Sequence, residues 1–175
     1  MLFILAVHVS EIRGQTQWTH YFCSPVLEVG PSGAWDAAWV EPMSVLYDGS
    51  QYRLWYLSYA WDGEFIGAGS VLLIDDTFYL WFYGQNSAIQ KSGIGLATSS
   101  DGMHWTEYEN NPVYIPNDPG DWDDAAAGVS PCVLFDGERY HLWYEATNGQ
   151  AAPGSQQPMW QIGCAFSDDG IVWTA

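Results

Sequence analysis

The segment IGLATSSDGMHWT at Ile94–Thr106 returns near the end of the chain as IGCAFSDDGIVWT at Ile162–Thr174. Each copy runs from an apolar, small-residue stretch through Ser-x-Asp-Gly to a tryptophan. Glycine supplies the positive φ that tight turns require, and the Ser and Asp side chains can accept hydrogen bonds from the turn's own amides. The repetition therefore predicts a hairpin turn of the scaffold, with its tryptophan packed between neighbouring repeats.

The repeated unit extends beyond this turn in both directions. A Trp-Asp pair recurs at Trp35, Trp61 and Trp122, and an aromatic stretch recurs as YRLWY, YLWFY and YHLWY, beginning at Tyr52, Tyr79 and Tyr140. In order, the unit contains the Trp-Asp pair, a short strand, an Asp-Gly turn, the aromatic strand, the IGxAxS strand, a second Asp-Gly turn and a final strand with its tryptophan. This order predicts four antiparallel strands for each unit.

A four-stranded antiparallel sheet repeated along the chain is the pattern of a β-propeller blade, so we predict an all-β fold of this class. The first repeat is short, because YRLWYLSYA runs directly into the next Trp-Asp pair. We therefore expect a single propeller-like domain at 18–175, with an incomplete blade at 18–60 and blades at 61–121 and 122–175. A closed ring needs typically four to eight blades, and open blade edges favour a homo-oligomer.

Charge and composition exclude two classes of binding partner. The chain has 4 Lys and Arg against 21 Asp and Glu, for a formal charge of -17. Such a charge repels phosphate backbones and anionic lipid headgroups, so nucleic acid and membranes are not expected partners. The acidic surface favours an extracellular or periplasmic location. Residues 1–17 contain an apolar run, which predicts either a leader or a first strand.

The three cysteines, Cys23, Cys132 and Cys164, show no CxxC spacing. Two of them lie in apolar strand-like runs, which favours buried free thiols. A bridge between Cys132 and Cys164 is the alternative.

The segments SPVLEVGPSGAWD, PMSVLYDGSQYRLWY and IGLATSSDGMHWTEYENNPVY together resemble the repeats of the five-bladed β-propeller glycoside hydrolases of families 32, 43, 68 and 130. The resemblance implies a protein that acts on glycosidic bonds of poly- or oligosaccharides. It also implies catalytic carboxylates that project into a central funnel from the starts of the innermost strands.

Hydrolysis of a glycosidic bond normally uses two carboxyl groups, one as general acid and one as base or nucleophile. Alignment of the turn aspartates Asp48, Asp75 and Asp136 places Glu41, Ala68 and Val129 at the position that the resemblance marks as catalytic. Only Glu41 keeps a carboxylate there, which makes it the first candidate.

Other acidic and aromatic side chains extend the set of candidates. Asp36, Asp62 and Asp123 are candidate catalytic residues, although their recurrence in each Trp-Asp pair is also typical of loop anchors. Four residues of the connecting segments are candidates for substrate binding, the tryptophans by stacking on sugar rings: Trp39, Trp61, Glu64 and Asp124.

No cofactor is expected, and no histidine spacing indicates a metal site. The acidic stretch from Asp118 to Asp124 leaves a calcium ion possible, although it lacks the order of an EF-hand loop. We therefore predict a glycoside hydrolase-like protein; the alternatives are a non-catalytic propeller module that binds carbohydrate and an inactive fragment of a glycosidase.

Overall fold

The computed structural model describes residues 39–59, 66–86, 91–115 and 120–175. Within these ranges the chain is all-β, with nine strands and no helix. The strands are β1 (Trp39–Tyr47), β2 (Tyr52–Tyr59), β3 (Ile66–Ile74), β4 (Thr77–Asn86), β5 (Lys91–Ser99), β6 (Thr106–Glu107), β7 (Ala126–Phe135), β8 (Tyr140–Thr147) and β9 (Gln161–Ser167).

The strands form three antiparallel sheets, each with its strands in chain order. We call them the first hairpin (β1-β2), the second sheet (β3-β4-β5-β6) and the third sheet (β7-β8-β9). The second sheet has the four-stranded arrangement that the repeat predicts. The third sheet has three strands instead of four, and a single bridge between Phe166 and Thr174 lies where the fourth strand was expected. The chain divides after Asp62 into two compact units, so the first hairpin belongs to one unit and the other two sheets form the second.

The hairpin turns are stabilised by aspartate side chains that accept hydrogen bonds from the backbone amides of the turn. Asp48 Oδ1 accepts hydrogen bonds from the amides of Ser50 and Gln51, while Gly49 takes a φ of +94°. Asp136 repeats this arrangement with the amides of Glu138 and Arg139. Such local bonds form a turn from sequence alone, without a neighbouring element.

The ladder registers correct one alignment made from the sequence. Three Val-Leu pairs occupy the same place in their hairpins, namely Val45–Leu54, Val71–Leu80 and Val133–Leu142. Phe78, not Tyr79, therefore corresponds to Tyr52 and Tyr140, because the aspartate of the turn after β3 comes one residue later than in the other two. The position that corresponds to Glu41 and Val129 is then Gly67 rather than Ala68, and it also lacks a carboxylate.

The core lies between the second and third sheets. Trp81, Ile94, Leu142, Ala146 and Ala165 are fully buried there, and Trp122, Phe135 and Trp173 pack against the same cluster. The third sheet buries alternate residues of β7 and β8, so one face meets the second sheet and the other is exposed.

The prediction of buried cysteines is wrong for the two that the structure describes. Cys132 and Cys164 are exposed free thiols. The alternation of the strands buries their neighbours Val133 and Ala165 instead. A bridge between them is also absent, because both are paired with Trp143 of β8, which lies between their strands. Cys23 lies outside the described residues.

The two Asp-Gly turns of the opening motif have the same structure. Ser99 Oγ accepts from the amide of Gly102, and Asp101 Oδ1 accepts from the amides of Met103 and His104. In the second copy Ser167 and Asp169 hold the amides of Gly170, Ile171 and Val172 in the same way. The prediction that these side chains serve the turn's own backbone is confirmed.

Candidate functional site

Glu41 is an exposed residue of β1, opposite Leu57 of β2. The ladder register shifts immediately after it, between Pro42 and Ser44. Such an irregularity turns a side chain away from the regular alternation of the strand, and irregularities of this kind are common beside functional sites. Glu41 therefore offers a carboxylate that is accessible to a ligand.

Asp123 is placed very differently, since it is completely buried. It lies just before β7, and its Oδ2 accepts a hydrogen bond from the hydroxyl of Tyr144 at 3.3 Å. The Tyr144 oxygen lies 2.5 Å from that of Tyr114. Because Tyr144 donates to the carboxylate, its oxygen is left to accept the proton of Tyr114. The three side chains thus form a buried chain of hydrogen bonds that ends on Asp123.

Burial controls the ionisation of the two phenols in this chain. It raises the pKa of Tyr144 far above its ordinary value, and the hydrogen bond with Tyr114 raises that pKa further. Burial also raises the pKa of Tyr114. Both phenols therefore keep their protons at neutral pH, as the direction of the hydrogen bonds requires. In this arrangement the Asp123 carboxylate is held by protein groups and does not face solvent.

Asp124 is half-buried beside Asp123. Its Oδ2 accepts a hydrogen bond of 2.6 Å from the amide of Gly120, which closes the loop ahead of β7. This contact is typical of a loop anchor.

Five further candidates lie at the edge of the described ranges or outside them. Trp39 is the first residue of β1, and nothing is described of its side chain. Asp36, Trp61, Asp62 and Glu64 lie outside the described residues. Glu41 belongs to the first compact unit, whereas Asp123 and Asp124 belong to the second, so the structure does not bring the candidates together within one unit.

Sequence reasoning did not identify the two tyrosines as partners of Asp123. Tyr144 lies in the aromatic strand, and Tyr114 lies in the segment after β6, where it bridges to Ile94. Tyr144 corresponds to Phe82 in the second sheet by the same ladder register. The first hairpin has Tyr56 at the same position, so this hydroxyl recurs in two of the three aromatic strands and gives no sequence signal for the contact with Asp123.

A depression of about 450 Å³ lies at the second Asp-Gly turn and contains none of the candidates. Arg139 and Asp168 face each other across it at 3.8 Å, and both are well exposed. Its lining consists of Arg139, Phe166, Ser167, Asp168, Asp169, Val172 and Thr174. The turn residues among them are engaged with their own backbone, so the depression offers few groups for recognition.

Within the described ranges, no group of three or more acidic, histidine or cysteine side chains lies close enough to hold a metal ion. The acidic stretch considered for calcium is described only from Gly120 onward. Among the same residues no helix is long and apolar enough to cross a membrane.

Comparison with curated proteins finds relatives at 28–29% identity. It is 29% identical over 129 residues to an uncharacterised protein of Mycobacterium tuberculosis. It is also 29% identical over 72 residues to the beta-1,2-mannobiose phosphorylase of a Thermoanaerobacter species. This match covers 38% of this chain and 24% of the phosphorylase. No protein-family model matches the chain.

Solved structures show the same fold. A candidate glycoside hydrolase from Bacteroides ovatus superposes with a TM-score of 0.52 and 21% identity, over 65% of this chain and 31% of that protein. A glycosyl hydrolase from the same organism gives 0.51 and 20% over the same shares. The chain thus has a glycosidase-like all-β fold. It spans 31% of the length of its Mycobacterium relative.

Proposed function

We propose that this chain is part of a β-propeller protein that acts on glycosidic bonds of oligo- or polysaccharides. The observation that carries the proposal is the similarity to the mannobiose phosphorylase, supported by a fold shared with a glycosyl hydrolase. Fold similarity alone does not determine an activity, which depends on specific residues in a site.

Glu41 is the carboxylate assigned to catalysis in this proposal. It is exposed beside an irregularity of β1, and the corresponding positions of the other two repeats, Gly67 and Val129, carry no carboxylate. A group that is needed once in a site is expected in one repeat only. Glu41 acts as the general acid that protonates the leaving oxygen, or as the base that deprotonates the attacking water.

The attacking group distinguishes two reactions. In hydrolysis, water attacks the anomeric carbon and both products are free sugars. In phosphorolysis, inorganic phosphate attacks that carbon, the glycosidic bond breaks and one product is a sugar 1-phosphate. The phosphorylase similarity makes phosphate a necessary component of the assay.

A second candidate function is carbohydrate binding without catalysis. It is favoured by the burial of Asp123 and its hydrogen bond to Tyr144, which hold this carboxylate away from any ligand in the described arrangement. In this alternative Trp39 and Trp61 stack on sugar rings and no bond is broken.

The test measures product release from arabinan, xylan, fructan and mannan oligosaccharides, with and without inorganic phosphate. We expect Glu41→Gln to lower turnover at least about 100-fold, because loss of a positioned proton donor or acceptor costs typically 10²–10⁴-fold. Exposed Glu109→Gln is the matched control and should keep full turnover.

Equal turnover by the native chain and Glu41→Gln would remove Glu41 from the mechanism. Absence of turnover, together with oligosaccharide binding that Trp39→Ala weakens, would favour the binding function. If the chain shows no turnover and no oligosaccharide binding, the proposal is overturned for this chain.

A further inference from the structure

The loop between β8 and β9 is the longest connection that the structure describes in full. It runs from Asn148 to Trp160 with the sequence NGQAAPGSQQPMW, and we call it the β8–β9 loop. Surface loops of this length commonly carry binding residues, because the rigid sheet at their base holds the side chains in place.

The β8–β9 loop leaves the third sheet at the end where β7 begins. Ala126, the first residue of β7, is paired with Thr147, the last residue of β8. The amide of Ala125 donates to the carbonyl of the same Thr147 at 3.1 Å. The base of the loop therefore adjoins the segment ahead of β7, which carries the candidate residues Asp123 and Asp124.

Trp160 is the last residue of this loop. It lies beyond the final pair of the β8–β9 ladder, Ala146 with Gln161, so it belongs to the end of the third sheet, whereas the strand residues form the faces. Its side chain is 48% exposed. A tryptophan at such a place can stack on the apolar side of a sugar ring and donate its indole N–H to an oxygen.

Hydrogen bonds within the loop order it before any ligand binds. The amide of Met159 donates to the carbonyl of Gln150 at 2.8 Å, and the amide of Ala152 donates to the carbonyl of Gln157 at 2.9 Å. At the tip, the Ser155 amide donates to the carbonyl of Ala152, and the Ser155 Oγ accepts from the amide of Gln157, both at 2.9 Å. An ordered loop loses less conformational entropy on binding than a disordered one.

The loop also differs from the rest of the chain in charge. No Asp, Glu, Lys or Arg lies between Glu145 and Asp168, which is the longest such interval in a chain with a formal charge of -17. The loop instead exposes three glutamines, Gln150, Gln156 and Gln157. A side-chain amide donates and accepts hydrogen bonds, as a sugar hydroxyl does, and it loses its water at a lower cost than a carboxylate. This composition favours a neutral ligand that is rich in hydroxyl groups.

We propose that the β8–β9 loop binds a neutral oligosaccharide, with Trp160 stacked on a sugar ring and the amides of Gln156 and Gln157 hydrogen-bonded to its hydroxyl groups. A rigid aromatic anchor beside adaptable polar side chains is a common arrangement in binding loops. This role rests on the proposed action on oligosaccharides: the loop recognises the substrate, and other residues break the glycosidic bond.

The experiment measures the affinity of the chain for neutral mannan, arabinan, xylan and fructan oligosaccharides by isothermal titration calorimetry. Trp160→Ala should weaken binding of the best ligand at least about 10-fold, because a truncated tryptophan anchor is typically among the largest losses in a binding site. Trp160→Phe keeps a flat ring and should recover most of the affinity. Gln156→Ala and Gln157→Ala should each weaken binding roughly 2- to 10-fold, which corresponds to the loss of one hydrogen bond.

Trp143→Ala is the matched control, since it makes the same substitution at a tryptophan of β8 that is 39% exposed and lies outside the loop. It should bind oligosaccharide like the native chain. Near-ultraviolet circular dichroism verifies the folding of each variant. Added salt should leave the affinity unchanged, because neither the loop nor the ligand carries a charge.

Kinetics separate this role from the proposed catalysis. Trp160→Ala should raise KM and leave kcat nearly unchanged, because it removes binding that the substrate and the transition state share, whereas Glu41→Gln lowers kcat. Turnover by the native chain, with Kd and KM unaffected by Trp160→Ala, would overturn the role of the loop and leave the proposed function in place. Binding that depends on Trp160, without turnover by the native chain, would support the loop and remove the catalytic part of the proposed function.

Two further results would overturn the role of the loop. The first is a folded native chain that binds none of the oligosaccharides. The second is an equal loss of affinity in Trp160→Ala and Trp143→Ala, which would show that the loop has no special part in binding.

Discussion

The second and third sheets each carry a stacked ring pair at the same place in their ladders, Tyr79–Trp81 and His141–Trp143, but the surroundings of the two pairs differ. Trp81 is covered by the third sheet and donates its indole N–H to Gly170. Trp143 occupies the same ladder position in its own sheet, between Cys132 and Cys164, and keeps 39% of its surface exposed. The comparison shows that a blade-like repeat specifies its own ladder, whereas the burial of its faces depends on the next sheet.

Substitution of the two tryptophans tests this comparison with the largest expected effect. Trp81→Ala should lower the free energy of unfolding by about 3–5 kcal/mol, because it leaves a cavity in the core and an unpaired carbonyl at Gly170. Trp143→Ala should change it by less than about 1 kcal/mol in the monomer, since its ring is partly in water already.

Urea denaturation of both variants, at a concentration where the chain is monomeric, measures the two effects. Similar losses for both tryptophans would show that the exposed pair is covered within a single chain, contrary to the described structure.

The hydroxyl of Tyr144 distinguishes the third sheet from the second, where Phe82 takes its place. Tyr144→Phe should cost about 1–3 kcal/mol of unfolding free energy, because it deprives buried Asp123 of a hydrogen-bond donor. Tyr47→Phe removes an exposed hydroxyl and should cost no more than about 0.5 kcal/mol. Thermal and urea denaturation provide the measurement, and equal effects of the two variants would refute a special role for Tyr144.

The turn carboxylates should give the smallest effect, seen as a dependence of stability on pH. Two hydrogen bonds from His104 hold the pKa of Asp101 well below its ordinary value of 3.8. The larger effect comes from the His104 amide, and the next from its imidazole, whose Nδ1 lies 2.7 Å from Asp101 Oδ2. The amide of Val172 lowers the pKa of Asp169. A lowered pKa in the folded state stabilises the fold above the ordinary value, and this stabilisation is lost as pH falls through the folded value.

Asp101→Asn should therefore weaken the fall in melting temperature between about pH 5 and about pH 2. The side chain is exposed to solvent, so the change should be small. Glu109→Gln removes the same charge elsewhere and serves as the control. An identical pH profile for Asp101→Asn and the native chain would contradict the assigned hydrogen bonds.

Much of the fold is predictable from the repeats, and the errors have physical causes. The four strands of the second sheet and both Asp-Gly turns follow from local chemistry. The alignment error at Phe78 arose because the aspartate in the turn after β3 is displaced by one residue, which only the ladder register reveals. The cysteine error arose because an apolar run does not show which of its alternating residues face the core.

The candidate site was less predictable than the fold. Glu41 is predictable because it is unique among the repeats, and the structure places it as an exposed residue of β1 beside a register shift. The partners of Asp123 were missed, because Tyr114 and Tyr144 come from separate segments that meet only after the sheets have packed. The positions of Asp36, Asp62, Glu64 and Trp61 lie outside the described residues, and their roles stay predictions.

The sequence by itself determined the elements of this protein, namely the strands, their antiparallel order and the Asp-Gly turns, because each depends on contacts between residues close in the chain. Tertiary structure decided which face of each sheet is buried and which carboxylate reaches solvent. The same aromatic motif is buried in the second sheet and exposed in the third, since burial is a property of the neighbouring surface and is not encoded within the motif.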